Sequence, residues 1–374
     1  MRLVPINQLK EGMILAQDVY SDEDSIIVPE SAQLKEKTIR ALKDFGIQKV
    51  YVIGDPDPDP EEKALQEDAA RIDRFSKPKP TIDRALRNEA LDNLEDIFDL
   101  AEKNELTQQS ATQVVKELDT VVDQLVDTLA SDKKSLVNIA DLKSYDDYTY
   151  HHSLSVAVLS LAIGQSLGFQ SKQLKLLGRT AMLHDIGKTA IPIEIINKPA
   201  RLEPEEFEKI KTHAPEGYQY LMRGHIGEKQ LLEGVLHHHE RFDGTGYPKG
   251  LSGADIPLLA RIITVADVYD ALTSNRPYRE PMQPAAAVEY IMGNVGLIFD
   301  YDIVMAFLKK LELYPIGGQV ELSDHRSAIV VNNEYPMRPR VKILETGQIL
   351  DLYRDRDCLS LTIKRIIPPE ESIA

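Results

Sequence analysis

Cysteine is nearly missing from this chain: Cys358 is the single one in 374 residues. An internal disulfide framework is therefore excluded, and so is a metal cluster held by the thiolates of one chain. Long hydrophobic runs are missing as well. The longest, Leu154–Ile163, is too short to cross a bilayer. The opening residues, Met1 to Met13, show no signal-peptide pattern, so the cytoplasm is the expected location. Excess basic charge is absent too. The net charge of -16 argues against a nucleic-acid coat or an anionic-membrane binder, and any anionic ligand must be met by basic groups gathered locally. What remains is an ordinary globular composition, 43% hydrophobic and 28% charged, in a chain long enough for two or three domains.

Residues 1–54 read as a small α/β unit. An extended segment runs from Gly12 to Tyr20, Ser25–Val28 can pair with it, Leu34–Phe45 has apolar residues at helical spacing, and Lys49–Ile53 is a β-branched strand. Nothing in this unit carries catalytic chemistry. It suits packing or spacing, with regulation or partner docking as the alternative. Residues 55–131 read as a connector: proline at every second position from Pro56 to Pro60 blocks helix and sheet, and two helical tracts follow. The second tract has Val114, Leu118, Val121, Leu125 and Leu129 at three- and four-residue spacing, a stripe that suits core packing or a homodimer seam. Residues 132–314 keep helical spacing and hold eight of the nine histidines. In residues 315–374 the turn pairs Gly317-Gly318 and Asn332-Asn333 lie among short β-branched runs, Ala328–Val331, Val341–Leu344, Ile349–Leu352 and Ser360–Ile366. This part reads as a small antiparallel β extension, with His325 as a solvated surface residue.

Three stretches carry chemistry. In Met182-Leu183-His184-Asp185-Ile186-Gly187-Lys188 an apolar helical run ends on adjacent His and Asp, with Gly187 as the helix stop. Neighbours on a helix point about 100° apart, so the pair cannot hold one ion from one face, but the two carboxylate oxygens can bridge two. A buried His–Asp hydrogen bond that only holds the core is the alternative. In His238-His239-Glu240-Arg241-Phe242-Asp243-Gly244-Thr245-Gly246-Tyr247-Pro248, paired imidazoles beside carboxylates suit two metals. Gly244 and Gly246 let the loop turn and approach a ligand, and Tyr247 offers a ring for stacking. In Pro257–Ser274, Asp267 lies inside a run that is apolar almost all round, where a carboxylate is rarely buried unless paired or metal-bound. Asp270, one turn on, can orient a ligand. Arg276 and Arg279 then bring two guanidiniums, which suit phosphate oxygens or surface ion pairs.

Taken together, the stretch from about Tyr148 to Tyr314 resembles the HD-GYP domain, a subgroup of the HD superfamily of metal-dependent phosphohydrolases. The matching residues are His152-Ser153, His184 to Lys188, His213, His238 to Arg241, Asp243 to Pro248, Ala266 to Thr273, and Arg276 to Arg279. The resemblance implies a mainly α protein: an all-helical HD-type domain with the small N-terminal α/β unit and the C-terminal β extension attached. It implies hydrolysis of the bacterial second messenger cyclic di-GMP to linear pGpG, GMP or both. The metal ligands would be His152, His184, Asp185, His213, His238, His239 and Asp267, with Asp185 as the bridge. Asp185 and Lys188 would act in catalysis, and Lys188, Gly246, Tyr247, Arg276 and Arg279 would contact substrate. His151 and His237 precede ligand positions and read as structural.

On this reading two divalent cations would lower the pKa of a shared water, giving hydroxide to attack phosphorus in line; the imidazole and carboxylate ligands suit iron or manganese, with zinc, nickel or cobalt as alternatives, and the family implies iron. Some HD-GYP domains add a third metal through a glutamate four residues before the first ligand histidine; here that position is Tyr148, so two metals are expected. The partners expected are cyclic di-GMP, a second copy through the connector helices and signalling proteins, with no nucleic-acid polymer and no membrane. The competing readings are a phosphohydrolase of another cyclic dinucleotide, and a ligand- and partner-binding module or scaffold without catalysis.

Overall fold

The computed structural model describes residues 2–20, 26–53, 81–130, 137, 148–274 and 281–367. The chain divides into two compact units, Met1–Arg74 and Phe75–Ala374. The first contains β1 (Arg2–Pro5), β2 (Ile14–Leu15), β3 (Val19–Tyr20), β4 (Ile26–Val28), α1 (Glu36–Asp44) and β5 (Lys49–Ile53). An antiparallel sheet runs in the order β1-β5-β2, and β3 pairs with β4. β5 alternates exposed and buried residues, so Val50 and Val52 point into a core with Val4, Leu15, Leu34 and Leu42. The period of two in the strand and of three to four in α1 put both apolar faces on the same core.

The second unit opens with α2 (Arg84–Glu102), capped by Asp83 Oδ1 accepting from Leu86 N at 2.8 Å, and α3 (Gln108–Ala130). Leu118, Val121, Leu125 and Leu129 of α3 are buried in the chain's own core, and Val114 packs against it. The stripe that suited either a core or a dimer seam is thus core. Its apolar side chains are covered within the chain.

The helices that carry the histidines follow: α4 (Tyr148–Ser166), α5 (Ser171–Leu183), α6 (Ile193–Ile196), α7 (Pro204–Lys211), α8 (His213–Arg223), α9 (Lys229–His237), α10 (Leu258–Thr273), α11 (Pro284–Gly293) and α12 (Tyr301–Leu308). α4 is apolar all round and sits centrally, packed by α5, α10 and α12. The β extension has β6 (Gln319–Leu322), β7 (Ser327–Asn332), β8 (Arg340–Ile343), β9 (Ile349–Asp351) and β10 (Ile363–Ile367), all antiparallel in the order β10-β6-β7-β8-β9. β6 has no counterpart in the β-branched runs of the sequence, because Gln319-Val320-Glu321-Leu322 has one β-branched residue and shows only the alternation. Val320, Leu322, Val330, Val341 and Ile343 join the same core as the helices. Among the described residues no helix is long and apolar enough to cross a membrane.

One expectation about the central stretch is corrected. Gly187 does not stop α5, which ends at Leu183 with His184 as its cap. Asp185 follows at φ -101°, ψ 7°, and Gly187 lies within a 3-10 helix, Ile186–Ala190. A Cβ on Gly187 would stand 1.9 Å from His213 O and 2.4 Å from Gly217 N, so glycine here permits one main chain to touch another. Gly187→Ala is expected to lower stability by at least about 1–3 kcal/mol, the usual cost of overpacking, since backbone rather than a side chain must give way. Its thermal midpoint measures this, and a midpoint equal to wild type would show that the two segments can part.

Candidate active site

Each of three histidines is held the same way. His184 Nδ1 lies 2.7 Å from Ala181 O, His213 Nδ1 2.6 Å from Ile210 O, and His238 Nδ1 2.6 Å from Val235 O. A carbonyl oxygen only accepts, so each Nδ1 carries the proton and each Nε2 presents a lone pair. Those lone pairs converge. His213 Nε2 is 3.3 Å from His238 Nε2 and 3.1 Å from His239 Nε2. A hydrogen bond cannot join His213 to His238 with both protons committed elsewhere, but a cation between them satisfies both. Among the described residues His184 Nε2 is buried with no hydrogen-bond partner, 3.3 Å from Asp185 Oδ2.

Asp185 stands between two groups. Its Oδ1 faces His213 at 3.5 Å and His238 at 3.9 Å, while its Oδ2 faces His152 at 3.5 Å and His184 at 3.3 Å. Asp185, His213, His238 and His239 have the spacing to hold one metal ion, and His152, His184 and Asp185 a second. Asp267 touches both groups, with Oδ1 3.2 Å from His152 Nε2 and Oδ2 3.9 Å from His239 Nδ1. Lys188 Nζ donates to Asp185 Oδ2 at 2.5 Å. Asp270, buried on α10, fixes the far side of His152, its Oδ2 lying 2.7 Å from Nδ1.

The electrostatics follow from burial and these neighbours. Burial pushes the imidazoles of His213 and His238 down and that of His239 to about 3, which keeps them neutral, the form that ligates metal. Burial works against the Asp185 carboxylate, but His184 and Lys188 outweigh it and hold it well below the usual range. For Asp267 burial is outweighed by the His152 hydrogen bond, again downward. Burial opposes charge on His152 too, yet bonds to Asp267 and Asp270 raise it to about 9. The cluster therefore holds a proton among carboxylates where a cation fits, and the donor set is right for divalent metal.

The loop after the paired histidines is held by Glu240, a role that its sequence neighbours did not reveal. The residue is buried, and its carboxylate accepts from Lys249 N at 2.8 Å and Leu251 N at 3.1 Å, away from the metal groups. Tyr247 stacks on His239 with centroids 4.8 Å apart and planes at 29°. The missing side chain of Gly246 serves the chain itself, since a Cβ would stand 2.3 Å from Arg241 N. His237 is buried between Glu233 and Glu240, at 3.4 and 3.3 Å, outside both metal groups. His325 is exposed and pairs with Glu321 at 3.0 Å. Arg276 and Arg279 lie outside the described residues, as does the side chain of Tyr148.

Comparison with known proteins gives the family. The family model of the HD domain matches residues 124–303. A cyclic di-GMP phosphodiesterase of Pseudomonas aeruginosa is 30% identical over 371 residues, covering 95% of this chain and 89% of that protein. A 3′3′-cGAMP-specific phosphodiesterase of Vibrio cholerae is 40% identical over 157 residues, 42% of this chain and 36% of that one. A solved HDG"Y"P protein of Bdellovibrio bacteriovorus covers 82% of this chain and 97% of its own, at 21% identity and a TM-score of 0.49. The HD match spans the histidine-bearing helices and one relative aligns over 95% of the sequence, so the chain belongs to the HD-GYP family of HD-domain proteins.

Proposed function

We propose that this chain is a metal-dependent phosphodiesterase that hydrolyses cyclic di-GMP to linear pGpG, GMP or both. The observation that carries this reading is the convergence of imidazole lone pairs on both sides of one carboxylate. The Pseudomonas relative's name supports the substrate, and the Vibrio relative's name supports a mixed cyclic dinucleotide as the second reading. The ligands in this reading are His213, His238 and His239 for one ion, His152 and His184 for the other, Asp185 for both, and Asp267 between them. Two divalent cations, iron or manganese from the thiolate-free donor set, supply water activation and charge neutralisation at phosphorus when bound.

The chain's own residues do the rest. Carbonyl bonds to three Nδ1 atoms hold the imidazoles in the ligating tautomer, and Asp270 holds His152. Lys188 fixes Asp185 and offers its cation to phosphoryl oxygens gaining charge. Tyr247, Gly246, Arg276 and Arg279 are the remaining substrate contacts of this reading, with the arginines matching phosphate in a bidentate fork. The enzyme works in the bacterial cytoplasm, and the N-terminal unit, residues 1–54, is the place for signalling partners.

Anaerobic assay of iron- and manganese-loaded protein with cyclic di-GMP tests this. Wild type is expected to release linear dinucleotide or mononucleotide, and Asp185→Asn to lose at least about 100-fold in turnover, since it removes the charge shared by both ions. Wild type with verified metal that leaves cyclic di-GMP intact would end the proposal, and cleavage of 3′3′-cGAMP alone would favour the second reading. Asp270→Ala is expected to weaken metal binding by about 10–100-fold, the usual effect of removing a ligand's orienting partner. Competition with a chelator measures it, and wild-type affinity would remove Asp270 from the support of His152.

A further inference from the structure

Lys211 is a cation beside the site with no task in the reaction described so far. It is the last residue of α7, two positions before His213, and its side chain is only 29% exposed. Its Nζ sits 4.9 Å from the centroid of the Phe207 ring and 5.8 Å from that of Tyr247. Tyr247 in turn stacks on His239, whose Nε2 is 3.1 Å from that of His213. A continuous set of contacts thus ties this ammonium to the imidazole cluster.

An ordinary surface lysine lays its stem on apolar groups and sends its head into water. Here the head itself lies over two rings, a contact that positions a cation without cancelling its charge. Its ion pair is with Glu208 at 2.5 Å, and that carboxylate is 69% exposed, so the pair is weak and open to exchange with an arriving anion. Lys188 pairs with Asp185 and, in the reaction proposed above, serves the phosphate being cleaved, which leaves a second phosphate without a cation. The site also contains Asp185, Asp267 and Asp270 in a chain of net charge -16, so an anionic ligand depends on local cations.

A cyclic dinucleotide carries two phosphodiesters, and only one can occupy the reacting position at a time. We infer that Lys211 binds the phosphate that is not being cleaved, releasing Glu208 to do so. This rests on the phosphodiesterase reading and adds a residue that selects two-phosphate substrates over simple diesters.

The test uses full-length, metal-loaded protein with metal content verified. Lys211→Met keeps the stem over the rings and removes the charge, and Lys211→Arg restores a cation. KM and kcat are measured for cyclic di-GMP and for bis(p-nitrophenyl) phosphate, which has one phosphate. Lys211→Met is expected to raise KM for the dinucleotide about tenfold more than KM for the small diester, the scale of one charge-assisted hydrogen bond, with Lys211→Arg recovering most of the difference. Equal changes on both substrates would assign Lys211 to packing and overturn the inference, as would a dinucleotide KM equal to wild type. Wild type that cleaves the small diester but neither cyclic di-GMP nor 3′3′-cGAMP is a different result: it overturns the proposed function, and this inference with it.

Discussion

The hydrogen bond from an imidazole Nδ1 to the carbonyl three residues earlier occurs at His184, His213 and His238, and most of the site depends on it. Ala181, Ile210 and Val235 all lie in the last turn of a helix, where carbonyls have no intrahelical partner. Each bond therefore gives a helix-end carbonyl a donor and fixes a tautomer for the chemistry. The carboxyl ends of α5, α7 and α9 consequently meet at one place. The negative ends of the α5 and α9 dipoles favour a cation there before any side-chain charge is considered, while that of α7 is offset by the start of α8 at His213.

The rest of the molecule is arranged to tolerate that concentration of polar groups. His152, His184, Asp185, His213, His238, Asp267 and Asp270 are all buried, and such groups cost stability unless paired or bound to a cation. Two elements apolar all round, α4 and α10, carry His152 and Asp267 from inside the core rather than from loops. The connector helices and the β extension enlarge the same core. Metal affinity and folding stability are thereby linked, because the groups that gain from the ion are the ones whose burial opposes the fold.

How much of this was legible in the sequence depends on the kind of signal. The mainly α architecture and the N-terminal α/β unit could be read because apolar periodicity reports burial directly. The clustering of histidines and the buried Asp267 pointed to the centre because few structural needs put those side chains in apolar runs. β6 escaped, since its alternation is short and its residues are mostly not β-branched. Gly187 was legible as special but not as to why: a contact between main chains 26 residues apart leaves no mark on local pattern. Glu240 showed the same limit, as its carboxylate sits in a metal-like motif yet turns to amides nine and eleven residues on. The α3 stripe left core and seam open because periodicity says that a face is covered, not by what.

The bare side of Gly187 has a mechanical consequence. With no side chain between them, the 3-10 turn carrying Lys188 and the first turn of α8 carrying His213 bear on each other as rigid surfaces, with no rotamers to absorb strain. Asp185, one bond from that turn, inherits the position. Asp185 thus takes its place from a contact that has no side chain to shorten or lengthen it. The spacing between the two groups of imidazoles is therefore set by main chain against main chain, where a side chain would have left it adjustable.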